Sequence, residues 1–374
     1  MPDYFIADDL SGALDAAAAF HRAGRRVRIA LDSAAWAAAE DGEVVALTTE
    51  TRNAAPASAS ATVARVLAAG RARGARLLFK KIDSTMRGPV AAELAAVAAA
   101  MPEARILFSP ANPAVGRTVR GGLLRVRGVP VADTEFGRDP LSPVRDSSLR
   151  HLLGAAAAER VVIANAETEA DLAAAVARMD AAGGPWLAVG SGALAQAVAK
   201  RGRAGPVGGV HAWPRVSSVA VLMVCGSAHD GNRVQAEQLR RERGVPLHEV
   251  RVAAGGSAAH AAATSVAAGG AATLLVEKAR TEGGGALRAI AAAATEVIAA
   301  GGVRRVFITG GETAFAICGA LKISALTFLE EIEPGVSVSG AETASGPMLL
   351  AVKPGGFGDE GTWVRVWDRM RQDR

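Results

Sequence analysis

The sequence predicts an α/β protein of two domains, each with a mostly parallel sheet flanked by helices. Three observations carry this. Short apolar runs alternate with alanine-rich helical patterns along the whole chain, which is how βαβ units read. The chain has 374 residues, beyond the size at which one hydrophobic core keeps growing, so two domains are the default. Hydrophobic residues make up 50% and aromatics only 4%, and the small alanine side chains suit close packing of helix on sheet.

In chain order, strands are expected at 4–7, 27–31, 44–48, 77–80, 105–109, 160–164 and 186–189, each a short apolar run bounded by turn signals. Helical patterns such as 57–73 and 90–101 lie between them. Residues 109–149 fit no periodic pattern. A loop of that length in a compact domain is usually functional. Part of it, "LLRVRGVPVADT", reads as a hairpin turning at Arg127-Gly128. Residues 200–217, "KRGRAGPVGGVHAWPRVS", are rich in Gly, Pro and basic residues and read as a linker, giving domains 1–205 and 215–374. A second series of strands follows at 219–225, 245–252, 272–276 and 303–309, ending in a Gly-rich tail at 353–361. The biased stretch 253–274 reads as a small-residue helix with flanking turns.

The net charge is +5 and the pI near 9.7, but the arginines are scattered. No basic stripe with interleaved aromatics marks a nucleic-acid partner, and an anionic small molecule fits the charge equally well. The two cysteines, Cys225 and Cys318, lie far apart in apolar runs. Buried reduced thiols and a cytoplasmic location are the expectation. No signal peptide is expected. No apolar run reaches the roughly 18–20 residues that span a bilayer, so no membrane partner is expected.

Parallel sheets place ligand sites at the carboxyl ends of strands. After 4–7 come Asp8, Asp9, Ser11 and Gly12. Asp9 or Ser11 capping the next helix accounts for one acid; the pair suits base chemistry or a metal. After 44–48 come Thr51 and Arg52, by themselves the pattern of a surface arginine. After 77–80 comes "KKIDSTMRG", gathering Lys80, Lys81, Asp83, Ser84, Thr85 and Arg87. Ser84 or Thr85 as a helix N-cap is the plain account, against which stands the density of charged groups, including an arginine able to hold a carboxylate bidentately. The long loop adds Arg117, Thr118, Glu135, Arg138, Asp139 and Arg145. Several arginines around a few acids suit a small polyhydroxylated carboxylate.

The second half carries three glycine turns after strands: "VCGSAHDGN" with Ser227, "FITGGETAFAI" with Gly310, Gly311, Glu312 and Thr313, and "KPGGFGDEG" with Gly355. Glycines at a helix start expose N–H groups that bind phosphate, and three such turns point to a nucleotide site. No P-loop string and no dinucleotide fingerprint occurs. His229, in the first of these turns, reads as a polar loop residue.

In order, "ADDLSGALD", "KKIDSTMRG", "SPANPAVGRT…GVPVADTEFGRDPLSPVRDS", "GSGALA", "GGETA" and "KPGGFGD" resemble the motifs of the four-carbon acid sugar kinase family over nearly the whole chain. The resemblance implies a sugar-binding N-terminal domain and a nucleotide-binding C-terminal domain, with ATP phosphorylating erythronate, threonate or 3-oxo-tetronates. By motif, the substrate side falls on Asp8, Asp9, Arg52, Lys81, Asp83, Ser84 and Arg87. The ATP side falls on Ser227, Gly310, Gly311, Glu312, Thr313 and Gly355. Three positions depart from the family pattern: Ala228-His229 stand where Cys-Ser is usual, and Asn165 where aspartate is common. The expected mechanism uses Asp8 as the base, with Asp83 as its rival, Arg87 or Arg52 on the substrate carboxylate and Lys81 neutralising charge. Mg²⁺ would bridge the ATP phosphates, no protein metal ligands are assigned, and the active site lies in the interdomain cleft. Partners are the acid sugar and ATP, and a homodimer is allowed. A nicotinamide-dependent oxidoreductase and a non-catalytic sugar-acid-binding protein are the alternatives.

Overall fold

The computed structural model describes residues 2–156, 159–201, 211–227, 229–252, 256–277 and 284–372. The chain divides into two compact units, Met1–Ile29 with Trp36–Val210 and Ala30–Ala35 with His211–Arg374. Residues 202–210, the middle of the expected linker, and Ala228 lie outside the described residues.

The first series comprises β1 (Asp3–Ala7), α1 (Leu10–Arg22), β2 (Val27–Ala30), α2 (Ser33–Ala37), β3 (Val44–Thr48), α3 (Pro56–Ala72), β4 (Arg76–Lys81), α4 (Val90–Ala100) and β5 (Arg105–Ser109). It continues with β6 (Arg117–Arg120), β7 (Leu123–Val126), β8 (Val129–Pro130), α5 (Leu149–Leu153), β9 (Val161–Ile163), α6 (Glu169–Ala181), β10 (Trp186–Gly190) and α7 (Gly192–Arg201). The sheet order is β2-β3-β1-β4-β10-β5-β9. The strand pairs of β1 with β3 and β4, of β10 with β4 and β5, and of β5 with β9 are all parallel. Strands such as β1, β3 and β10 are mostly buried apolar runs, as two-sided cover by helices requires. Phe5 on β1 stacks on Phe20 of α1 with ring centroids 5.3 Å apart. The order reverses at β1: the chain leaves to β2 and β3 on one side and crosses back to β4 on the other.

The long loop is not structureless. β6, β7 and β8 form a small antiparallel sheet whose last turn is at Arg127 (φ +50°) and Gly128 (φ +83°), where the sequence places it. Two left-handed residues are what a two-residue hairpin demands.

The second series comprises β11 (Val221–Cys225), α8 (Asp230–Arg243), β12 (Leu247–Val250), α9 (Ser257–Gly269), β13 (Ala271–Val276), α10 (Gly285–Gly301), β14 (Arg305–Thr309) and α11 (Gly311–Ala320). Then come β15 (Ala325–Glu333), β16 (Val336–Thr343), β17 (Gly346–Lys353) and α12 (Thr362–Met370). The order is β12-β13-β11-β14-β17-β16-β15, parallel as far as β17 and antiparallel beyond it. The strand pattern read from the sequence stops at 309, so this antiparallel meander and α12 are additions. α12 seats Trp363, Val366, Trp367 and Met370 in the core, with Trp363 edge-on to Phe307 at 5.4 Å.

Candidate functional site

In the first unit, Ala7, Thr48 and Lys81 lie side by side in the register of β3, β1 and β4. The loops that follow these strands therefore share one end of the sheet, at the point where the strand order reverses, the usual place for a ligand in such sheets. Asp8 and Asp9 are buried there, and Arg52 makes that burial tolerable. Its Nε and Nη2 donate to Asp8 Oδ2 and Oδ1 at 2.9 and 3.0 Å. Nη2 also donates to Asp9 Oδ1 at 2.8 Å, and Nη1 to Asp9 Oδ2. One planar guanidinium thus bridges both acids, so the surface-arginine expectation for Arg52 does not hold. Asp9 is the N-cap of α1, accepting from Gly12 N and Ser11 Oγ, each at 2.6 Å. Burial pushes the Asp8 carboxyl up, but Arg52, Lys80 and Lys81 outweigh it and hold it below the usual carboxylate range.

The loop after β4 wraps Asp83. Its Oδ2 accepts from Arg87 Nε at 3.0 Å, Arg87 N at 3.2 Å, Thr85 N at 3.3 Å and Thr85 Oγ1, and its Oδ1 from Arg87 Nη2 at 3.0 Å. Burial raises this carboxyl, yet Arg87 and Arg52 hold it well below the ordinary value. The helix that follows begins only at Val90, so neither Ser84 nor Thr85 is its N-cap, and the plain capping account of this stretch is corrected. Ser84 is half-buried and makes none of the cluster's hydrogen bonds. Lys81 Nζ lies 3.3 Å from Asp15 Oδ2 and donates to Ile82 O at 3.1 Å.

Gly12 keeps the centre open. A Cβ there would lie 2.7 Å from Asp9 Oδ1 and 3.3 Å from both Asp8 Oδ1 and Lys81 Nζ. From the long loop, Phe136 sets its ring 5.4 Å from the Arg87 guanidinium and 5.8 Å from that of Arg117, and Asp139 stands 3.5 Å from Arg87 Nη1. Arg117 and Asp139 thus join the cluster, whereas Glu135, Arg138 and Arg145 are exposed.

Sequence reasoning passed over two features. Glu50 directly precedes Thr51 on the β3 loop in a left-handed backbone (φ +48°) and accepts from Thr48 Oγ1. Burial, with Asp9 and Asp8 close by, pushes its carboxyl up to about 8. Its signal was present in "TETRN", beside the arginine. Lys80, fully buried, pairs with Glu93 of α4 at 2.6 Å; no local spacing announces that pair.

In the second unit, Cys225, Thr309 and Lys353 end three neighbouring strands in register. Their turns converge where the order reverses between β11 and β14. A Cβ on Gly226 would lie 2.0 Å from Thr313 Oγ1, and one on Gly355 would lie 2.7 Å from Ser227 Oγ. Gly310 holds φ +108°, a conformation side chains avoid, and Gly311–Thr313 open α11 with no side-chain cap. The helix therefore presents uncapped N–H groups, the arrangement that holds phosphate. Glu312 is exposed in that first turn. His229 caps α8, its Nδ1 accepting from Gly231 N at 3.2 Å. Among the described residues, no group of three or more His, Cys, Asp or Glu could hold a metal ion. No helix of the described residues is long and apolar enough to cross a membrane.

Residues 4–160 match a sugar-binding N-terminal domain family and residues 222–362 a nucleotide-binding C-terminal domain family. The chain is 34% identical to a D-threonate kinase of Cupriavidus necator, covering 99% of this chain and 98% of that one. It is 32% identical to a D-threonate kinase of Bordetella bronchiseptica (99% and 97%) and 31% identical to a 3-oxo-tetronate kinase of Methylobacterium radiotolerans (98% of each). The fold matches a crystal structure from Salmonella typhimurium with a TM-score of 0.72 at 22% identity, covering 98% of each chain. A Bordetella bronchiseptica crystal structure, a domain-swapped dimer with bound citrate, aligns at 31% identity with a TM-score of 0.50, covering 100% of this chain and 99% of that one.

Proposed function

The chain belongs to the four-carbon acid sugar kinase family, and from that premise we propose that it transfers the γ-phosphoryl group of ATP to a hydroxyl of a four-carbon sugar acid, threonate, erythronate or a 3-oxo-tetronate. The observation that carries the reading is the pairing, in one chain, of a buried arginine–carboxylate cluster at one sheet's reversal point with three converging glycine turns at the other's. We assign sugar binding to residues 1–205 and nucleotide binding to residues 215–374. The two domain-family matches support this division.

Phosphoryl transfer asks a protein mainly for positioning and charge neutralisation. Asp8 is the better base. Each of its oxygens accepts one bond from Arg52 and keeps a lone pair, while Asp83 Oδ2 is crowded by four donors. Arg87 holds Asp83 through Nε and Nη2, which leaves Nη1, with its single 3.5 Å contact to Asp139, for the substrate carboxylate. Arg52 and Asp9 fix the carboxylate pair, Lys81 offsets the substrate's charge, and Ser84 lies on the same loop for a sugar hydroxyl. On the nucleotide side, Ser227, Gly310, Gly311, Thr313 and Gly355 bind the phosphates. Mg²⁺ is assigned as the nucleotide's own counter-ion. Mg²⁺ uses one or two carboxylates beside phosphate oxygens, and Glu312, exposed in the first turn of α11, would be the carboxylate to hold it. A cytoplasmic homodimer is the assembly in keeping with the relative's dimer.

The test is a coupled assay with ATP across threonate, erythronate and 3-oxo-tetronate isomers. We expect sugar-acid-dependent ADP release that Asp8→Asn lowers by about 10²–10⁴-fold in kcat. An Asp8→Asn enzyme with near wild-type kcat removes Asp8 as the base. No turnover with any four-carbon acid removes the reading.

A further inference from the structure

We propose that Lys353 is a positioning residue for the nucleotide's phosphate chain: its ammonium gathers the carbonyls of the 354–358 turn inward and so presents that turn's N–H groups outward as an anion-binding nest. This deepens the kinase reading and rests on it.

Lys353 is the last residue of β17 and is fully buried. Its Nζ donates to Asn232 Oδ1 at 2.9 Å, Pro354 O at 3.2 Å, Gly355 O at 3.1 Å and Phe357 O at 2.8 Å. An ammonium has three N–H donors, and four oxygens already compete for them, so none is left to reach a ligand. Lys353 therefore differs from a lysine that touches phosphate. In a trans peptide the C=O and the following N–H point in opposite directions. Carbonyls 354, 355 and 357 turned toward Nζ leave the N–H groups of Gly355, Gly356 and Gly358 directed away from it. None of those three N–H groups donates to a described residue. Successive outward N–H groups in a glycine turn form an anion-binding concavity.

The turn is seated where a phosphate chain is expected. A Cβ on Gly355 would strike Ser227 Oγ, and one on Gly356 would lie 3.4 Å from the His229 ring. The nest thus adjoins the β11 turn, one strand from the α11 N-terminus. The acceptors around Nζ are three carbonyls and an amide rather than a carboxylate, and burial pushes the ammonium down to about 8. The titratable groups around it are Cys225 on β11, pushed up to about 11 by burial, Glu333 on β15 and Asp359 after the turn, both paired with Arg365, and His229 before α8. Between pH 7.5 and 9.5 the Lys353 ammonium, pushed down to about 8 by burial, loses its proton. Losing that proton frees the carbonyls to rotate and removes the positive field behind the nest. Over the same interval the lowered pKa makes the fold itself more stable, because the unfolded chain holds the extra proton. Weaker nucleotide binding there is therefore not a sign of unfolding.

The experiment is titration calorimetry of the intact protein with adenosine, ADP and ATP from pH 7.5 to 9.5, for wild type and Lys353→Met. We expect wild-type affinity for ATP to fall about fivefold or more over that range while adenosine affinity stays level. Lys353→Met should bind ATP at least about tenfold more weakly at pH 7.5, bind adenosine normally and lose the pH dependence. Equal ATP affinity in the variant, or a flat wild-type series, overturns the inference and leaves the kinase reading standing. Should Lys353→Met fail to fold, the wild-type series decides alone. Wild type that binds no adenine nucleotide overturns the kinase reading, and this inference with it.

Discussion

Arg52 explains why two acids stand side by side after β1. The repulsion of Asp8 and Asp9 is answered by a residue more than forty positions away, whose fork grips both carboxylates. The acids were legible as a pair at a strand end, and so was Asp9 as a cap. The grip was not, because distant contacts leave no spacing to read. Glu50 escaped for a related reason: its significance lies in burial next to Asp8 and Asp9, which the sequence does not display. Two carboxyls with pKa values pushed in opposite directions make the base testable. With Asp8 as base, kcat at saturating ATP stays level on the acid side down to about pH 5, since Asp8 sits below the ordinary value of about 3.9. A base at Glu50 would make kcat climb with pH through about 8. Glu50 also marks stability. Its raised pKa means the folded state keeps a proton that the unfolded chain loses above about 4.5, so the stability it contributes is full below that pH and is lost as pH rises through about 8. Glu50→Gln cannot ionise and should melt above wild type at pH 8, by about 2–4 °C per kcal/mol recovered. The gap should close at pH 4.5, and an equal gap at both pH values would contradict the assignment.

Among the elements of the first unit, α1 is the one whose start carries chemistry. Its first turn brings Gly12 up to Asp8, Asp9 and Lys81 with no room for a methyl group. Gly12→Ala should therefore weaken sugar-acid binding by about tenfold or more and leave ATP binding unchanged, as titration of each ligand separately will show. The link between β4 and α4 is the buried Lys80–Glu93 pair. Glu93→Ala strands an ammonium in the core and should cost about 3–5 kcal/mol, read from urea unfolding; a loss below 1 kcal/mol would mean Lys80 has another outlet. Parallel strands such as β11, β13 and β14 were legible because each is a short buried run of mostly apolar residues. The meander was not, because β15 and β16 interrupt their apolar residues with Glu330, Glu331, Ser337 and Ser339. α12 was hidden because Arg365, Asp368 and Arg369 break its apolar face in the linear order while the face itself stays whole on the helix.

At the scale of the molecule, the two units solve the same problem twice. Each builds a mostly parallel sheet whose strand order reverses, and each sets its charged or glycine-rich loops at that reversal. The sequence shows the loops, because strand-end motifs are local. It does not show the order that makes them neighbours. The net charge of +5 suits two anionic substrates, so kcat/KM for the sugar acid should fall severalfold as salt rises from about 0.05 to 0.5 M, where the Debye length shrinks well below about 10 Å. The central claim is that this chain moves a phosphoryl group from ATP to a four-carbon sugar acid. Mass spectrometry of the protein incubated with ATP, Mg²⁺ and each acid in turn tests it most directly. One acid should be recovered as its monophosphate in step with ADP. ADP accompanied only by inorganic phosphate, with every acid unchanged, would contradict it.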